Sequence, residues 1–134
     1  MKIDAILLRE LHLPLLRPFE TSFGVTTNRR ILLAEIRSEG LIGWGECTAG
    51  EHPNFSEEST DSCWQVIVNE LGPMLAAATP EHGGDCPKIF RLVRGNRMAK
   101  ATLENAIWDL EAQREGVSLS RLIGGVRDTI PCGV

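Results

Sequence analysis

The chain has 134 residues, of which 43% are hydrophobic, and its formal net charge at pH 7 is −4. This length suits one domain with a single core. Acidic and basic residues are interleaved, so the chain lacks the basic patch with which proteins bind nucleic acid or an anionic membrane, and we expect neither partner.

Residues 2–13 predict the first β-strand. Hydrophobic residues alternate loosely there and define one side of the strand: Ile3, Ala5, Leu7, Leu11 and Leu13. Pro14 and Pro18 then break the alternation. Residues 18–28 (PFETSFGVTTN) combine one glycine, three threonines and two phenylalanines without a helical pattern, which predicts a loop.

Two more strands are predicted downstream of this loop. Residues 29–37 (RRILLAEIR) form the second and residues 41–46 (LIGWGE) form the third. The turn at residues 38–40 places Gly40 where a left-handed backbone conformation is needed. Three strands joined in this way predict an antiparallel meander.

Helical patterns follow residue 55. The first helix is predicted from one apolar stripe: Cys63, Trp64, Ile67, Val68 and Leu71. The Gly-Pro pair at residues 72–73 is expected to end or kink it. A short helix is predicted within residues 87–95, and a long one over residues 97–115, with Asn96 as its N-cap and Gly116 as its C-terminal stop.

The last six residues, 129–134 (TIPCGV), resemble a strand with no partner. The predicted fold class is therefore α+β: a three-stranded antiparallel meander followed by a helical bundle, with one leftover strand. An unpaired apolar strand leaves its backbone hydrogen-bonding groups without partners, so we expect this segment to begin another domain.

The cysteines and histidines do not predict a catalytic or metal site. The four cysteines form no C-x-x-C pair, and the three histidines are scattered along the chain: Cys47, Cys63, Cys86, Cys132, His12, His52 and His82. Charged residues interrupt the N-terminal apolar run, which is unlike a secretory signal, and no apolar run reaches the ~20 residues of a membrane span. We expect reduced thiols in a cytoplasmic protein.

The acidic residues are interpreted as structural. Glu57 and Glu58 are assigned to the first turns of a helix, where negative charge is favourable. Asp109 and Glu111 are assigned to a solvated helix face. Glu46, at the end of the third strand, is predicted to hold the following loop by accepting backbone N–H groups.

Two irregular segments with apolar tips remain, residues 19–25 and residues 47–55. Lids that close over a ligand and exclude water have this composition. Because the chain itself presents no complete active site, these segments suggest a lid over chemistry that lies elsewhere.

Several motifs occur in an order that resembles the enolase superfamily. They are PFETSFG, GWGEC, NFSEE, RMAKATLENAIWDLEAQREG, LIGG and RDTIPCGV, and together they extend over essentially the whole chain. The long helix followed by LIGG is similar to the superfamily in general. The PFETSFG, RMAK and RDTIPCGV motifs more specifically resemble the o-succinylbenzoate synthases and N-acylamino acid racemases.

This resemblance implies an N-terminal capping domain over residues 1–126 and the start of a (β/α) barrel over residues 127–134. In such enzymes the barrel carries a lysine acid–base pair and the carboxylates that hold Mg²⁺, and it abstracts a proton next to a carboxylate. No catalytic or metal-binding residue is therefore expected in this chain. The implied partners are a small-molecule carboxylate substrate, the barrel domain and further copies of the enzyme.

The resemblance also implies a substrate-binding role for residues of both lid segments. From the first segment these are Phe19, Thr21, Ser22, Phe23 and Gly24, and from the second they are Gly50 and Phe55. Relatives often have a larger apolar residue at the position of Gly50 and tyrosine at that of Phe55. The resemblance therefore does not predict the identity of the substrate side chain.

The leading interpretation is the cap of a synthase that dehydrates a cyclohexadiene carboxylate in menaquinone biosynthesis. The alternatives are an N-acylamino acid racemase or another muconate-cycloisomerase-like enzyme. An alternative of a different class is a stand-alone binding module with the cap fold. In each case we expect the 134-residue chain alone to be inactive.

Overall fold

An antiparallel sheet and a layer of helices form the domain in the computed structural model, which describes residues 1–22 and 24–133. The sheet contains β1 (Ala5–Thr21), β2 (Gly24–Ser38) and β3 (Leu41–Cys47), in the spatial order β1-β2-β3. The predicted α+β meander is confirmed. Gly40 has a φ of 84° in the β2–β3 turn, as predicted from its place there.

The β1–β2 hairpin is longer than the sequence predicted. Phe19 pairs with Thr26 and Thr21 pairs with Gly24, so most of the predicted loop over residues 18–28 is paired strand. The register shifts between Pro14 and Phe19. Proline cannot donate a ladder hydrogen bond, and an irregular stretch of strand tolerates it, so the two prolines interrupt the pairing without ending the hairpin.

Within β1, the side that packs against the core is not the apolar side that contains Ala5, Leu7, Leu11 and Leu13. Ile6 and Leu8 pack against the core, and Ile6 lies opposite the fully buried Ile36. Leu7 and Leu11 lie on the outer face instead. Both sides of β1 carry apolar residues, so alternation alone did not identify the side that the helices cover.

The helices follow the sheet in chain order. The helical segments are α1 (Thr60–Val66), a π-helical turn (Ile67–Leu71), α2 (Gly72–Ala76), a 3-10 turn (Gly83–Asp85), α3 (Cys86–Ile89), α4 (Arg97–Glu115) and α5 (Leu119–Leu122). Pro73 does not end the first helix. The wider π-helical turn precedes it, and the helical path continues to Ala76 because a helix accepts proline in its first turn. Gly116, with a φ of 65°, ends α4 as predicted.

Helix α4 rests directly on the backbone of β3. A Cβ built on Gly45 would lie 1.9 Å from the carbonyl oxygen of Thr102, and one built on Gly43 would lie 2.2 Å from that of Ala106. The strand alternates, so Trp44 faces away from α4 and is 44% exposed. The two glycines of the GWGEC motif thus permit close helix–strand contact.

The N-terminus of α4 is capped by a distant carboxylate. The predicted N-cap, Asn96, makes no capping hydrogen bond, and its side-chain amide donates to the carbonyl oxygen of Arg94 at 2.9 Å. The buried carboxylate of Glu58 accepts from the backbone N–H groups of Met98 and Ala99 at 3.0 Å. Glu58 therefore stabilises α4 rather than the helix that follows it in sequence.

The carboxylates assigned to a solvated face of α4 are also structural. Glu111 is buried and accepts from His82 Nδ1 and the backbone N–H of Gly83, both at 2.9 Å. Its hydrogen bond raises the pKa of His82. Asp109 accepts from the backbone N–H of Trp44 at 2.9 Å. Both connect α4 to neighbouring segments.

Residues 129–133 form no strand. No other strand of the described chain lies beside them, and a strand without a neighbour cannot satisfy its backbone hydrogen bonds. Their assignment to a barrel stays a prediction. Within residues 1–22 and 24–133, no helix has the length and apolarity needed to cross a membrane.

Candidate functional site

A cleft of about 830 Å³ lies between the end of the β1–β2 hairpin and the segment that follows β3. We call it the hairpin–loop cleft. Four of the predicted substrate-binding residues line it, two from each side: Phe19, Thr21, Gly50 and Phe55. The structure thus brings together the two lid segments that are about 30 residues apart in sequence.

The other predicted residues of the first segment lie elsewhere or cannot be placed. Ser22 and Gly24 belong to the hairpin end but do not line the cleft, and the Thr21 hydroxyl donates to the carbonyl oxygen of Gly24 at 3.3 Å. Phe23 lies outside the described residues. The hairpin end therefore contributes Phe19 and Thr21 to the described cleft.

The aromatic side chains at the rim are exposed. Phe55 has 89% of its surface exposed and Phe19 has 52%. Exposed apolar residues grouped around a concavity mark an interaction site. Neither ring contributes to the core, so both are available to contact a molecule in the cleft.

The base of the second segment is held firmly although its tip is exposed. The carbonyl oxygen of Gly50 accepts from the Thr60 backbone N–H at 2.8 Å and from its hydroxyl at 3.2 Å. A tight turn follows, in which the N–H of Asn54 donates to the carbonyl oxygen of His52 at 2.8 Å. These bonds position Phe55 at the rim.

Arg30 joins the cleft walls to the helices. Its Nε lies 2.7 Å from Glu10, its Nη2 lies 2.7 Å from Asp61, and its Nη1 lies 3.7 Å from Glu51. The hydrogen bond to Glu10 raises the pKa of Arg30, and the same bond lowers the pKa of Glu10. The Arg30 side chain is 20% exposed. We interpret it as the link that holds β1, β2, α1 and the second lid segment together.

Arg29, its neighbour in sequence, has different surroundings. It is exposed and lines the cleft, and among the described residues it makes no ion pair. Its guanidinium carbon lies 5.6 Å from the centroid of the Phe19 ring, which is within the range of a cation–π contact. The sequence analysis missed both arginines because a single sequence does not show which charges will meet.

A buried thiol pair lies behind the cleft. Cys47, at the end of β3, lies beside Cys63 of α1, and the Cys63 Sγ donates to Glu58 Oε1 at 3.4 Å. The contact with Cys47, together with burial, raises the pKa of the Cys63 thiol. Such a thiol is a poor nucleophile. The pair serves to fix the start of the second lid segment against α1.

The remaining polar residues of the cleft do not form a catalytic set. Glu46 lines the cleft and is exposed, and the prediction that it holds the loop is wrong, since it accepts no hydrogen bond from the described residues. In the part of the chain that the structure describes, no three His, Cys, Asp or Glu residues are grouped to hold a metal ion.

This is an α+β domain with an open cleft between two projecting segments, and its described residues contain no catalytic set. Such a domain has the form of a cap on another domain. The family comparison agrees with this class. Residues 3–124 match the family described as mandelate racemase/muconate lactonizing enzyme, N-terminal domain. The chain belongs to this family, and it is an enolase-superfamily capping domain.

The relatives are longer than this chain. It is 39% identical to an o-succinylbenzoate synthase from Geobacillus stearothermophilus and 37% identical to an N-succinylamino acid racemase from Amycolatopsis sp., each match covering 100% of this chain and 36% of the relative. An enolase-superfamily protein from Enterococcus faecalis V583 has a solved structure with a TM-score of 0.90 and 37% identity, covering 99% of this chain and 36% of that one. The chain thus spans about a third of the length of these proteins.

Proposed function

We propose that this chain is the substrate-capping domain of a Mg²⁺-dependent o-succinylbenzoate synthase. The observation that carries the proposal is the hairpin–loop cleft, whose rim exposes Phe55 and Phe19 to whatever lies beneath the cap. In this proposal residues 1–126 form the cap and residues 127–134 begin the barrel. The relative from G. stearothermophilus supports the synthase as the first candidate.

The residues of this chain bind and enclose the substrate in this proposal. The barrel supplies the acid–base groups and Mg²⁺, which stabilises the negative charge that develops when a proton next to a carboxylate is removed. Phe19 and Phe55 contact the apolar part of the substrate from two sides and exclude water. Arg30 and the Gly50–Thr60 hydrogen bonds keep the two sides in register.

N-succinylamino acid racemisation is the second candidate. The relative with that name is nearly as similar to this chain as the synthase is. Both reactions fit proton removal next to a carboxylate. The names of both relatives contain a succinyl group, in the product of the synthase and in the substrate of the racemase. A stand-alone binding module is the third candidate and requires no barrel.

The test uses the chain followed by its barrel domain, which we call the complete enzyme. If the reading frame supplies no barrel, the barrel of the G. stearothermophilus relative is fused instead. We expect Mg²⁺-dependent dehydration to o-succinylbenzoate, lost on chelation of the metal. The same barrel without a cap is the control and should be far less active. Racemisation without dehydration would favour the second candidate. A folded complete enzyme that catalyses neither reaction would overturn the proposal.

A further inference from the structure

We infer that Arg29 is a specificity-determining residue that binds the distal carboxylate of a succinyl-bearing substrate in the hairpin–loop cleft. The inference rests on the proposed function, because it concerns the substrate side chain that this cleft receives. In this inference Arg29 distinguishes substrates that carry a second negative charge from substrates that do not.

Arg29 has the charge available for this role, whereas Arg30 does not. Two arginines line the cleft. The guanidinium of Arg30 already contacts Glu10 and Asp61 at 2.7 Å. Arg29 makes no ion pair in the described part of the chain. A guanidinium without an acidic partner among the described residues, in a cleft of mixed polar and apolar lining, favours an anionic ligand.

The acidic residues that line the cleft do not pair with Arg29. Glu51 lies 3.7 Å from Arg30. Glu46 pairs with Leu33, four residues from Arg29 along β2, and a strand advances ~3.3 Å per residue, so their backbones are about 13 Å apart. In the described part of the chain, no ion pair joins either carboxylate to Arg29.

The Phe19 ring lies next to the guanidinium. The guanidinium carbon lies over the ring at 5.6 Å from its centroid, a contact that does not use the N–H donors. A planar guanidinium with free N–H groups matches the two oxygens of a carboxylate. Since Phe19 and Arg29 both line the cleft, the contact presents an apolar surface and a cation side by side.

A succinyl group has the complementary chemistry. It is a four-carbon diacid attached through one end, so it carries a two-carbon apolar stretch and a free carboxylate. The methylenes suit the Phe19 and Phe55 rings, and the carboxylate suits Arg29. The names of the synthase and racemase relatives both contain this group, so the inference applies to either reaction.

The test measures, by titration calorimetry, how tightly the complete enzyme binds o-succinylbenzoate and its analogue in which a terminal amide replaces the succinyl carboxylate. Binding is measured for wild type, Arg29→Gln, Arg29→Lys and Arg17→Gln. Arg17 is a matched control, since it is an exposed arginine of the same hairpin that does not line the cleft. Melting temperatures show whether each variant is folded.

We expect Arg29→Gln to weaken binding of o-succinylbenzoate about 10- to 100-fold, the loss expected for a hydrogen bond to a charged group, and to change binding of the amide less than about 3-fold. Arg29→Lys should recover part of the loss, and Arg17→Gln should leave both affinities unchanged. The inference is overturned if wild type does not prefer o-succinylbenzoate to the amide, if Arg29→Gln weakens both ligands equally, or if Arg17→Gln acts like Arg29→Gln. Loss of the proposed function is seen separately, as a complete enzyme that binds o-succinylbenzoate but catalyses neither reaction.

Discussion

Replacing Gly45 by alanine tests the contact between α4 and β3. The added Cβ would lie 1.9 Å from the Thr102 carbonyl oxygen, where ordinary contact begins at 3.4 Å. Helix and strand must therefore separate locally by about 1.5 Å, and a gap of even ~1 Å forfeits a quarter to a half of the dispersion attraction. Because the obstacle is backbone, it cannot rotate away. Overpacking of this kind costs ~1–3 kcal/mol, and we expect the upper end.

The assay is urea unfolding of Gly45→Ala and of Gly50→Ala as the matched control. A Cβ on Gly50 would lie 3.4 Å from the nearest atom, the His52 carbonyl oxygen, so this variant should change the free energy of unfolding by less than ~0.5 kcal/mol. Gly45→Ala should lower the urea midpoint without changing the slope, and should lower Tm by roughly 10 °C. Equal stability of the two variants would refute close backbone contact as the reason for glycine at position 45.

Three further outcomes are expected. Phe55→Ala should change the free energy of unfolding by less than ~0.5 kcal/mol. It should lower kcat/KM of the complete enzyme about 10- to 100-fold. A large drop in Tm would instead assign the ring to the core. Glu58→Ala should cost ~2 kcal/mol in urea unfolding, since it leaves the partly buried N–H of Met98 and the buried N–H of Ala99 without an acceptor. Wild-type stability would contradict this cap. The pKa of His82 is raised in the folded state, so its contribution is complete below its ordinary pKa of ~6.5 and is lost as pH rises through the raised value. The stability difference between wild type and His82→Gln should therefore shrink from pH 5.5 to pH 9, and a constant difference would exclude the ion pair with Glu111.

The features predicted correctly from sequence are those that depend on local signals. The β2–β3 turn needs only Gly40 and its neighbours, and the end of α4 needs only a residue that accepts a positive φ, which Gly116 provides. The hydrophobic periodicity and the turn-forming residues were sufficient to predict these elements. Residues 48–55 lie outside any strand or helix, as the loss of a regular pattern after the third strand predicted.

The features that were missed depend on residues far apart in sequence. Pairing of Phe19 with Thr26 is a cross-strand property, so the hairpin end was read as a loop. The Glu58 cap acts on a helix about 40 residues later. The Arg30 cluster joins residues separated by 20 and 31 positions. A propensity-based analysis has no access to such contacts, and the chemistry of the cleft, including Arg29, belongs to this class.

The exposed rim of the cleft has an evolutionary consequence. The residues that we propose face the substrate there, such as Phe55, are separate from the residues that stabilise the domain, such as the glycines beneath α4. Mutations at the rim therefore change the free energy of unfolding little. In the proposed function, the same mutations have a large effect on substrate choice. A lineage with this arrangement can exchange one substrate side chain for another through a few substitutions in two short segments. Related caps can thus keep one architecture while the reactions they serve diverge.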